Sequence, residues 1–395
     1  MDYSLAELPD EHLQLKNMVR DVVDRECMPL EVEYLKDDLY DELKPEHEPH
    51  LRRVSQDTGI WDAHVPKEHG GGGMGLLGLC VIDEEIYRSA VLLPKSPVNV
   101  ILYECNDDQA PKYLEPVIRG EKRTAFAQTE PHSGSDPGGS MQTRAVRDGD
   151  DWIINGHKFF ISNSLACDFW MLQAVTDQEK RRRGGITMFL IDKGTPGINV
   201  TEIKTWHNRP FERATCEMTL DNVVVPHTNI LGEEGYGFRL GQRWLVAHDR
   251  LTRGASSLGQ MQRSLDMSIA WARQRSSFGK PIASRQAIQW MIVDMFVDIQ
   301  ALRAMTYGAA ARYDSGDVDG DSRYLGSLIK LLSGQWGHRC LDNALQVHGG
   351  IGETYELPIS RFYRNLRHAR IGGGTDEMHR MVLARWLLGR DVTDL

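Results

Sequence analysis

The segment from Ala369 to Arg380 concentrates residues whose types and spacing could do chemistry. Its three consecutive glycines, Gly372-Gly373-Gly374, are followed directly by Thr375, Asp376 and Glu377. A glycine offers a backbone N–H and a close approach of the main chain, but it has no side chain that could accept a proton. The two carboxylates suit the beginning of a helix, where the helix dipole favours negative charge, so capping alone could explain them.

Two common kinds of site are not indicated by the sequence. The six cysteines form no C-x-x-C pair and no regular spacing, which argues against a zinc site or a disulfide framework and fits reduced thiols. No G-x-G-x-x-G lies between a strand pattern and a helix pattern, so a Rossmann-type cofactor site is not supported.

Composition and charge narrow the class of protein. The chain has 395 residues, 41% of them hydrophobic and 26% charged, so we expect a globular enzyme of two or three domains or layers. No apolar run approaches the roughly 18 residues of a membrane span. The net charge of -10 argues against a general nucleic-acid surface. A local cluster, Lys180 to Arg183, could still meet an anion, or it could be a solvated loop between two strands.

The N-terminal residues Met1 to Glu7 begin acidic and show no basic segment followed by an apolar one. The sequence therefore predicts neither a secretory nor a mitochondrial targeting signal, and we expect a cytoplasmic location. The mitochondrial matrix is the alternative if a transit peptide has been removed.

The pattern of apolar residues changes twice along the chain. It predicts an α+β protein with an N-terminal α-helical domain (1–122), a middle β-sheet or barrel domain (123–232) and a C-terminal four-helix bundle (233–395). The long C-terminal helices are predicted at Leu251 to Arg275, Arg285 to Tyr313 and Tyr324 to Val347, with a polar loop, Asp314 to Asp321, between the second and third.

Four motifs follow one another across most of the chain. They are Ala125 to Asp136, Arg275 to Ile282 followed by Gln286, Gln346 to Gly352 with Arg361 to Asn365, and the closing segment Ala369 to Arg380. In order and spacing they resemble the signatures of the acyl-CoA dehydrogenase flavoproteins. The resemblance implies the acyl-CoA dehydrogenase fold, an FAD cofactor and an acyl-CoA substrate. It also implies an electron-transfer flavoprotein as electron acceptor and a homodimer or homotetramer.

The resemblance also implies the residues that bind cofactor and substrate. Those along the flavin are Phe126, Gln128, Thr129, Phe160 and Ser162, with Thr375 and Glu377 near the last helix. Those at the pyrophosphate and adenosine are Arg275, Ser277, Phe278 and Gln286, and those reaching a neighbouring subunit's FAD are Gln346, Gly349 and Gly350. The substrate positions are Ser135 and Arg250. Plain strand packing, a helix C-terminus, helix capping and a turn are the structural alternatives for these groups.

The catalytic base is the position at which the sequence departs from much of the family. There, the residue before the Gly-Thr pair is a glutamate that removes the substrate's α-proton, whereas Gly373 keeps only the backbone N–H that polarises the carbonyl. The isovaleryl-CoA and long-chain types place the base directly before an arginine on the first bundle helix, and Asp249 matches that position. Aspartate reaches about 1.5 Å less far than glutamate. His248 is the alternative base, and an exposed Asp249-Arg250 charge pair is the structural alternative.

Three functions follow from this pattern. The first is an acyl-CoA dehydrogenase that introduces a Cα–Cβ double bond, with Asp249 as the base. The second is a homologue with redox-neutral chemistry such as elimination or desulfination. The third is a non-catalytic FAD-binding protein.

Overall fold

The computed structural model describes residues 7–38, 43–206, 214–316 and 323–393. Residues 1–6 of the N-terminal segment and residues 317–321 of the predicted polar loop lie outside these ranges. The chain forms two compact units. Within the described residues, the helical unit combines 7–38, 43–95 and the part from 245 onward, and the β unit combines 96–206 and 214–244.

The helices are numbered in chain order. They are α1 (Asp10–Val22), α2 (Glu31–Lys36), α3 (Glu48–Asp57), α4 (Gly75–Ile86), α5 (Glu115–Ile118), α6 (Pro137–Ser140), α7 (Gly237–Arg243), α8 (Arg250–Gln274), α9 (Gln286–Asp314), α10 (Arg323–His348), α11 (Ile359–His368), α12 (Asp376–Leu388) and α13 (Arg390–Thr393). The three long C-terminal helices differ from the predicted bounds by one residue at each end.

The strands are numbered in the same way. They are β1 (Thr124–Ala127), β2 (Arg144–Asp148), β3 (Asp151–Ser162), β4 (Phe169–Val175), β5 (Ile186–Asp192), β6 (Ile198–Glu202), β7 (Thr215–Pro226), β8 (Ser276–Ser277) and β9 (Lys280–Pro281). The order of helices, sheet and helices agrees with the predicted α+β class. The domain boundaries at residues 122 and 232 stay a prediction.

The helical unit is built around a shared apolar core. Val19, Ile82, Leu258, Leu302 and Leu341 lie in it, one from each of α1, α4, α8, α9 and α10. Within α1, the core residues Leu15, Val19 and Val22 recur at helical spacing, so this helix turns one apolar stripe inward. The predicted bundle is thus formed by long helices whose buried faces meet.

A buried ion network ties α1, α4 and α9 together. Glu84 accepts hydrogen bonds from Lys16 Nζ at 3.3 Å and from Arg303 Nε at 2.9 Å. Burial raises the pKa of Glu84, but Arg303 and Lys16 outweigh it and bring the pKa down to about 2. The charged glutamate therefore stays paired inside the core, where an unpaired charge would be strongly destabilising.

The β unit contains a seven-stranded mixed sheet in the order β1-β4-β2-β3-β7-β6, with β5 paired to β4. β1 and β4 run parallel, whereas β3 and β7 form the longest antiparallel pair. Trp152, Leu172, Phe189 and Met218 contribute to its apolar core. The register of β3 against β7 shifts between Lys158 and Ile161, which is a β-bulge in the strand that carries Phe160 and Ser162.

Candidate active site

Asp249 lies at the end of a π-helical turn, Trp244–Asp249, that leads into α8. Such wide turns are uncommon and occur frequently at functional sites. The residue is buried, with 8% of its surface exposed. This burial disagrees with the interpretation of Asp249 as part of an exposed charge pair.

Arg253, one turn further along α8, is the charged partner that the geometry gives Asp249. Its Nε lies 3.2 and 3.1 Å from the two carboxylate oxygens, and its Nη2 lies 3.1 Å from Oδ1. Arg250, the predicted substrate residue, donates from Nη1 to Ser327 Oγ on α10 at 3.1 Å. The structure thus holds the Asp249 carboxylate by a charge-assisted contact that the sequence pattern did not indicate.

Gly373 lies directly beside this ion pair. Its φ is +73°, and a Cβ built on it would be 2.9 Å from Asp249 Oδ2 and 3.2 Å from Arg253 Nε. Any side chain at this position would therefore need both strained backbone geometry and displacement of the pair. The space that a glutamate would enter at residue 373 is the space next to the Asp249 carboxylate.

Lys330 on α10 belongs to the same cluster. It is 1% exposed, its ammonium donates to the Ala369 carbonyl, and its Cε is 3.4 Å from a Cβ built on Gly373. Burial, followed by the nearby Arg253, lowers the pKa of Lys330 to about 7, while Asp249 opposes the shift. Sequence reasoning missed this residue, although a lysine inside the apolar run Leu328 to Leu332 was a usable signal.

His379 is a second buried group that the sequence pattern did not indicate. Its Nε2 would be 2.9 Å from a Cβ on Gly374. Burial, together with Arg250 and Lys330, lowers the pKa of His379 to about 3, so the imidazole is neutral at physiological pH. The polar groups next to Gly373 and Gly374 therefore include Asp249, Arg253, Lys330 and His379.

Phe160 in the β unit combines two unusual properties. Its φ is +59°, and 58% of its surface is exposed although it is a large aromatic residue within a strand. The β-bulge in β3 turns this side chain out of the regular alternation. Left-handed geometry at a non-glycine residue is costly and collects at ligand sites, so the structure supports a flat aromatic wall here.

Two side chains of the first motif, Phe126 and Gln128, make contacts within the β unit. Gln128 is buried and donates to Gln173 Oε1 at 2.8 Å, and Gln173 donates to the Gly237 carbonyl at 2.7 Å. Phe126 stacks edge-on against Trp244 with ring centroids 5.2 Å apart. The structural alternative of core packing therefore describes the side chain of Gln128.

Lys158 fixes the main chain at the end of this motif. Its buried ammonium donates to the Gln128 carbonyl at 3.1 Å and to Glu130 Oε1 at 3.0 Å. Thr129 O accepts from Phe159 N at 2.8 Å. Burial lowers the pKa of Lys158 to about 8, although the neighbouring Glu130 opposes the shift. The segment 128–130 is thus tied to β3 close to Phe160.

The second motif forms the small β8-β9 hairpin between α8 and α9 and brings Arg275, Ser277 and Phe278 together. Phe278 has φ +50° and is 96% exposed. Arg285, which the sequence pattern did not indicate, lies over the Phe278 ring at 5.9 Å and donates to the Ser277 carbonyl at 3.1 Å. Gln286 begins α9 and is exposed. A left-handed φ at an aromatic residue is costly and collects at ligand sites.

Two glycines of the third motif, Gly349 and Gly350, are left open by the described chain. Gly349 follows α10 with φ +63°, which a helix C-terminus explains. A Cβ built on Gly349 or Gly350 would meet nothing within 4 Å. Gly350 and the exposed Gln346 therefore lie on an open surface, and packing within the described chain does not account for a glycine at position 350.

Three predicted residues have simple local roles. Thr375 is the N-cap of α12, and its Oγ1 accepts from Met378 N at 3.3 Å. Glu377 is exposed in the first turn, where capping explains a carboxylate. Ser135 has φ +67° in an exposed turn before α6. Their predicted contacts with flavin and CoA stay predictions.

Two kinds of feature are absent from the described part of the chain. No group of three His, Cys, Asp or Glu side chains within it could hold a metal ion. None of its helices is both long enough and apolar enough to cross a membrane.

Comparison with known proteins gives a consistent result along the whole chain. Three family models match in succession: the acyl-CoA dehydrogenase N-terminal domain over residues 9–121, the middle domain over 125–223 and the C-terminal domain over 235–388. The chain is 32% identical to the probable acyl-CoA dehydrogenase FadE25 of Mycobacterium tuberculosis, over 98% of this chain and 97% of that protein.

Two further relatives agree. The (R)-benzylsuccinyl-CoA dehydrogenase of Thauera aromatica is 34% identical, over 98% of this chain and 97% of its own length. The solved structure of butyryl-CoA dehydrogenase from Megasphaera elsdenii superposes with a TM-score of 0.84 at 29% identity, covering 98% of this chain and 100% of that one. The predicted fold class is confirmed. The chain belongs to the acyl-CoA dehydrogenase family.

Proposed function

We propose that this protein is an FAD-dependent acyl-CoA dehydrogenase in which Asp249 removes the α-proton of an acyl-CoA thioester. The observation that carries the proposal is the position of the Asp249 carboxylate, 2.9 Å from a Cβ built on Gly373. This puts an acid next to the residue that precedes the Gly-Thr pair. A glutamate at residue 373 would compete for this space, so an acid at residue 249 requires a small residue at 373.

The residues of the chain act on the substrate in distinct ways. Asp249 accepts the α-proton, while the backbone N–H of Gly373 donates to the thioester carbonyl and stabilises the developing negative charge. Arg253 holds the carboxylate before substrate enters. Its side chain is partly exposed, and its contact with Asp249 must break as the carboxylate turns to the α-carbon. The buried position of Asp249 limits the water that would compete for its lone pairs.

The chain also fits an FAD cofactor, which when bound accepts the β-hydride at N5. Phe160 offers an exposed aromatic wall, and Ser162 two residues later offers a hydroxyl. Arg275, Ser277 and Phe278 offer a guanidinium, a hydroxyl and an exposed ring on one hairpin. An isoalloxazine needs a flat apolar wall, and its pyrophosphate needs cationic donors, so these residue types match the group. Gln128 and Thr129 would contribute through the main chain that Lys158 fixes.

Self-association and an electron-transfer flavoprotein as acceptor complete the proposal. Trp290, Val293 and Val297 form an exposed apolar stripe on α9 at helical spacing. Burying such a stripe against a second copy would remove it from water, and a neighbouring copy could then reach the open glycines Gly349 and Gly350. A solved structure named for the electron transferring flavoprotein of Acidaminococcus fermentans is similar to this chain, which supports the choice of acceptor.

Anaerobic mixing with acyl-CoA thioesters that differ in chain length and branching tests the reaction. Loss of the flavin absorbance with formation of the enoyl product is the expected result. Turnover without loss of absorbance would indicate a redox-neutral homologue, and neither change would indicate a binding protein. Either outcome contradicts the proposed dehydrogenation.

Replacement of Asp249 tests the base. We expect Asp249→Asn to slow flavin reduction roughly 1,000-fold, because a positioned base contributes about 10² to 10⁴ in rate. Asp266→Asn, an exposed acid on the same helix, is the matched control and should leave the rate unchanged. An undiminished rate in Asp249→Asn would assign the proton to another group, with His248 the first to examine.

A further inference from the structure

The turn between β4 and β5 concentrates positive charge in the β unit. Lys180, Arg181, Arg182 and Arg183 follow one another, and the three arginines form a short 3-10 turn. Gly184, with φ +115°, ends the turn. The proposed reaction makes no use of this cluster.

The turn is held in one conformation by its own hydrogen bonds. Asp177 Oδ1 accepts from the backbone N–H groups of Glu179 and Lys180 at 3.0 and 3.1 Å. Arg181 N donates to Asp177 O at 3.0 Å, and Gly185 N donates to Arg181 O at 2.6 Å. A backbone fixed in this way reduces the ordering cost of binding.

Lys180 and Arg181 each have close structural partners. Lys180 pairs with Asp177 at 2.9 Å, and this hydrogen bond raises the pKa of Lys180. Arg181 donates from Nη1 to the carbonyls of Gly139 and Met141 at 3.1 and 3.0 Å. Arg181 therefore anchors the turn to α6, which directly follows the loop of Ser135.

Arg182 and Arg183 are both exposed, and Arg182 lies next to that loop. Arg182 Nη1 lies 3.5 Å from Asp136 Oδ1, at the limit of a hydrogen bond, and the same oxygen already accepts from Gly139 N at 3.1 Å. Asp136 is thus a weak and shared partner for one guanidinium of the pair. Both guanidinium groups therefore stay exposed at the surface of the turn.

We propose that Arg182 and Arg183 bind the phosphates of the CoA nucleotide. This rests on the proposed function, in which acyl-CoA is the substrate and Ser135 contacts the CoA chain. The pyrophosphate and the 3′-phosphate are the strongly anionic parts of CoA, and planar guanidinium groups match phosphate oxygens in shape and charge. The two arginines therefore recognise the carrier and leave the choice of acyl group to other residues.

A double variant, Arg182→Gln/Arg183→Gln, removes both charges while it retains polar side chains. The matched control is Lys193→Gln/Lys204→Gln, which removes two charges from the β unit at positions after β5 and β6. Each protein is assayed with one acyl group carried on CoA, on dephospho-CoA and on pantetheine. Binding of free CoA is measured in parallel by calorimetric titration.

With acyl-CoA, we expect KM of the arginine variant to rise about tenfold at unchanged kcat, since two charge-assisted contacts are lost. With acyl-pantetheine, the variant and the wild type should have equal KM. A partial effect with dephospho-CoA would assign part of the contact to the pyrophosphate, and no effect with it would assign the contact to the 3′-phosphate. The difference should shrink as salt is added.

Two results would overturn the proposal. One is an unchanged KM of the arginine variant for acyl-CoA together with an unchanged affinity for free CoA. If electron transfer to the flavoprotein acceptor were then the only slower step, the turn would be a protein-docking surface. The other is an equal defect with acyl-pantetheine, which lacks phosphates. If none of the thioesters reduces the flavin of the wild type, the proposed function fails. The titration with free CoA still decides the role of the turn.

Discussion

At the scale of single residues, Asp249 and Gly373 are two halves of one arrangement. They are 124 positions apart in the sequence, and the fold places the carboxylate 2.9 Å from a Cβ on the glycine. Glycine at residue 373 cannot itself act as a base, but it leaves room for the carboxylate of Asp249. Arg253 and Lys330 complete the cluster from α8 and α10.

Exchange of the two positions tests this complementarity. Gly373→Glu alone should slow flavin reduction by roughly 100-fold or more, because a side chain at φ +73° is strained and its carboxylate meets Asp249. The double variant Gly373→Glu/Asp249→Gly moves the acid to residue 373, and we expect it to recover at least about tenfold over the single variant.

Stopped-flow flavin reduction gives both rates. Gly308→Ala on α9 is the control, since a Cβ there meets nothing within 4 Å. A Gly373→Glu protein with the wild-type rate and unaltered unfolding would show that the space beside Asp249 is not limiting.

At the scale of elements, the bulged strand β3 sets the geometry of the β unit's site. Periodicity predicts two separate runs, Trp152 to Ile154 and Phe159 to Ile161, whereas the structure joins them in one strand with register shifts. Alternation alone cannot locate a bulge, because the extra residue is set by pairing with β7. Lys158 next to the bulge then ties β3 to the segment 128–130.

Removal of this tie should destabilise the β unit. Lys158→Met leaves Glu130 buried without its cation, and breaking a buried pair costs roughly 3–5 kcal/mol of unfolding free energy. Because Lys158 also holds Gln128 O, we expect weaker retention of FAD. Urea unfolding and the rate of FAD release measure the two effects.

The double variant Lys158→Met/Glu130→Gln separates charge from packing. It should be more stable than Lys158→Met, since no uncompensated buried charge remains. If the single variant were as stable as the wild type, the pair would have no structural role.

At the scale of the whole molecule, the exposed side of α9 is a surface that the described chain does not cover. Trp290, Val293 and Val297 are 61%, 54% and 55% exposed at positions i, i+3 and i+7. Glutamates at two of these positions, Trp290→Glu/Val293→Glu, should convert the proposed oligomer into smaller species, because burying like charges in an apolar contact is costly.

Light scattering after size-exclusion chromatography measures the mass of each variant. Ala311→Glu, an exposed position near the other end of the same helix, adds one negative charge away from the stripe and should leave the mass unchanged. An unaltered mass of the double variant at micromolar concentration would place the contact on another surface.

The sequence by itself determined the fold class, the bounds of the long helices and the family, because these depend on local periodicity and on motifs that are contiguous in the chain. It also named Asp249 and Gly373, by their resemblance to known positions. Only the tertiary structure decided that Arg253 pairs with Asp249 and that Lys330 and His379 line the glycine run. It alone turned Phe160 outward and anchored the turn between β4 and β5 to α6. Those features depend on side chains that are distant in sequence and close in space, and on the backbone strain that packing imposes.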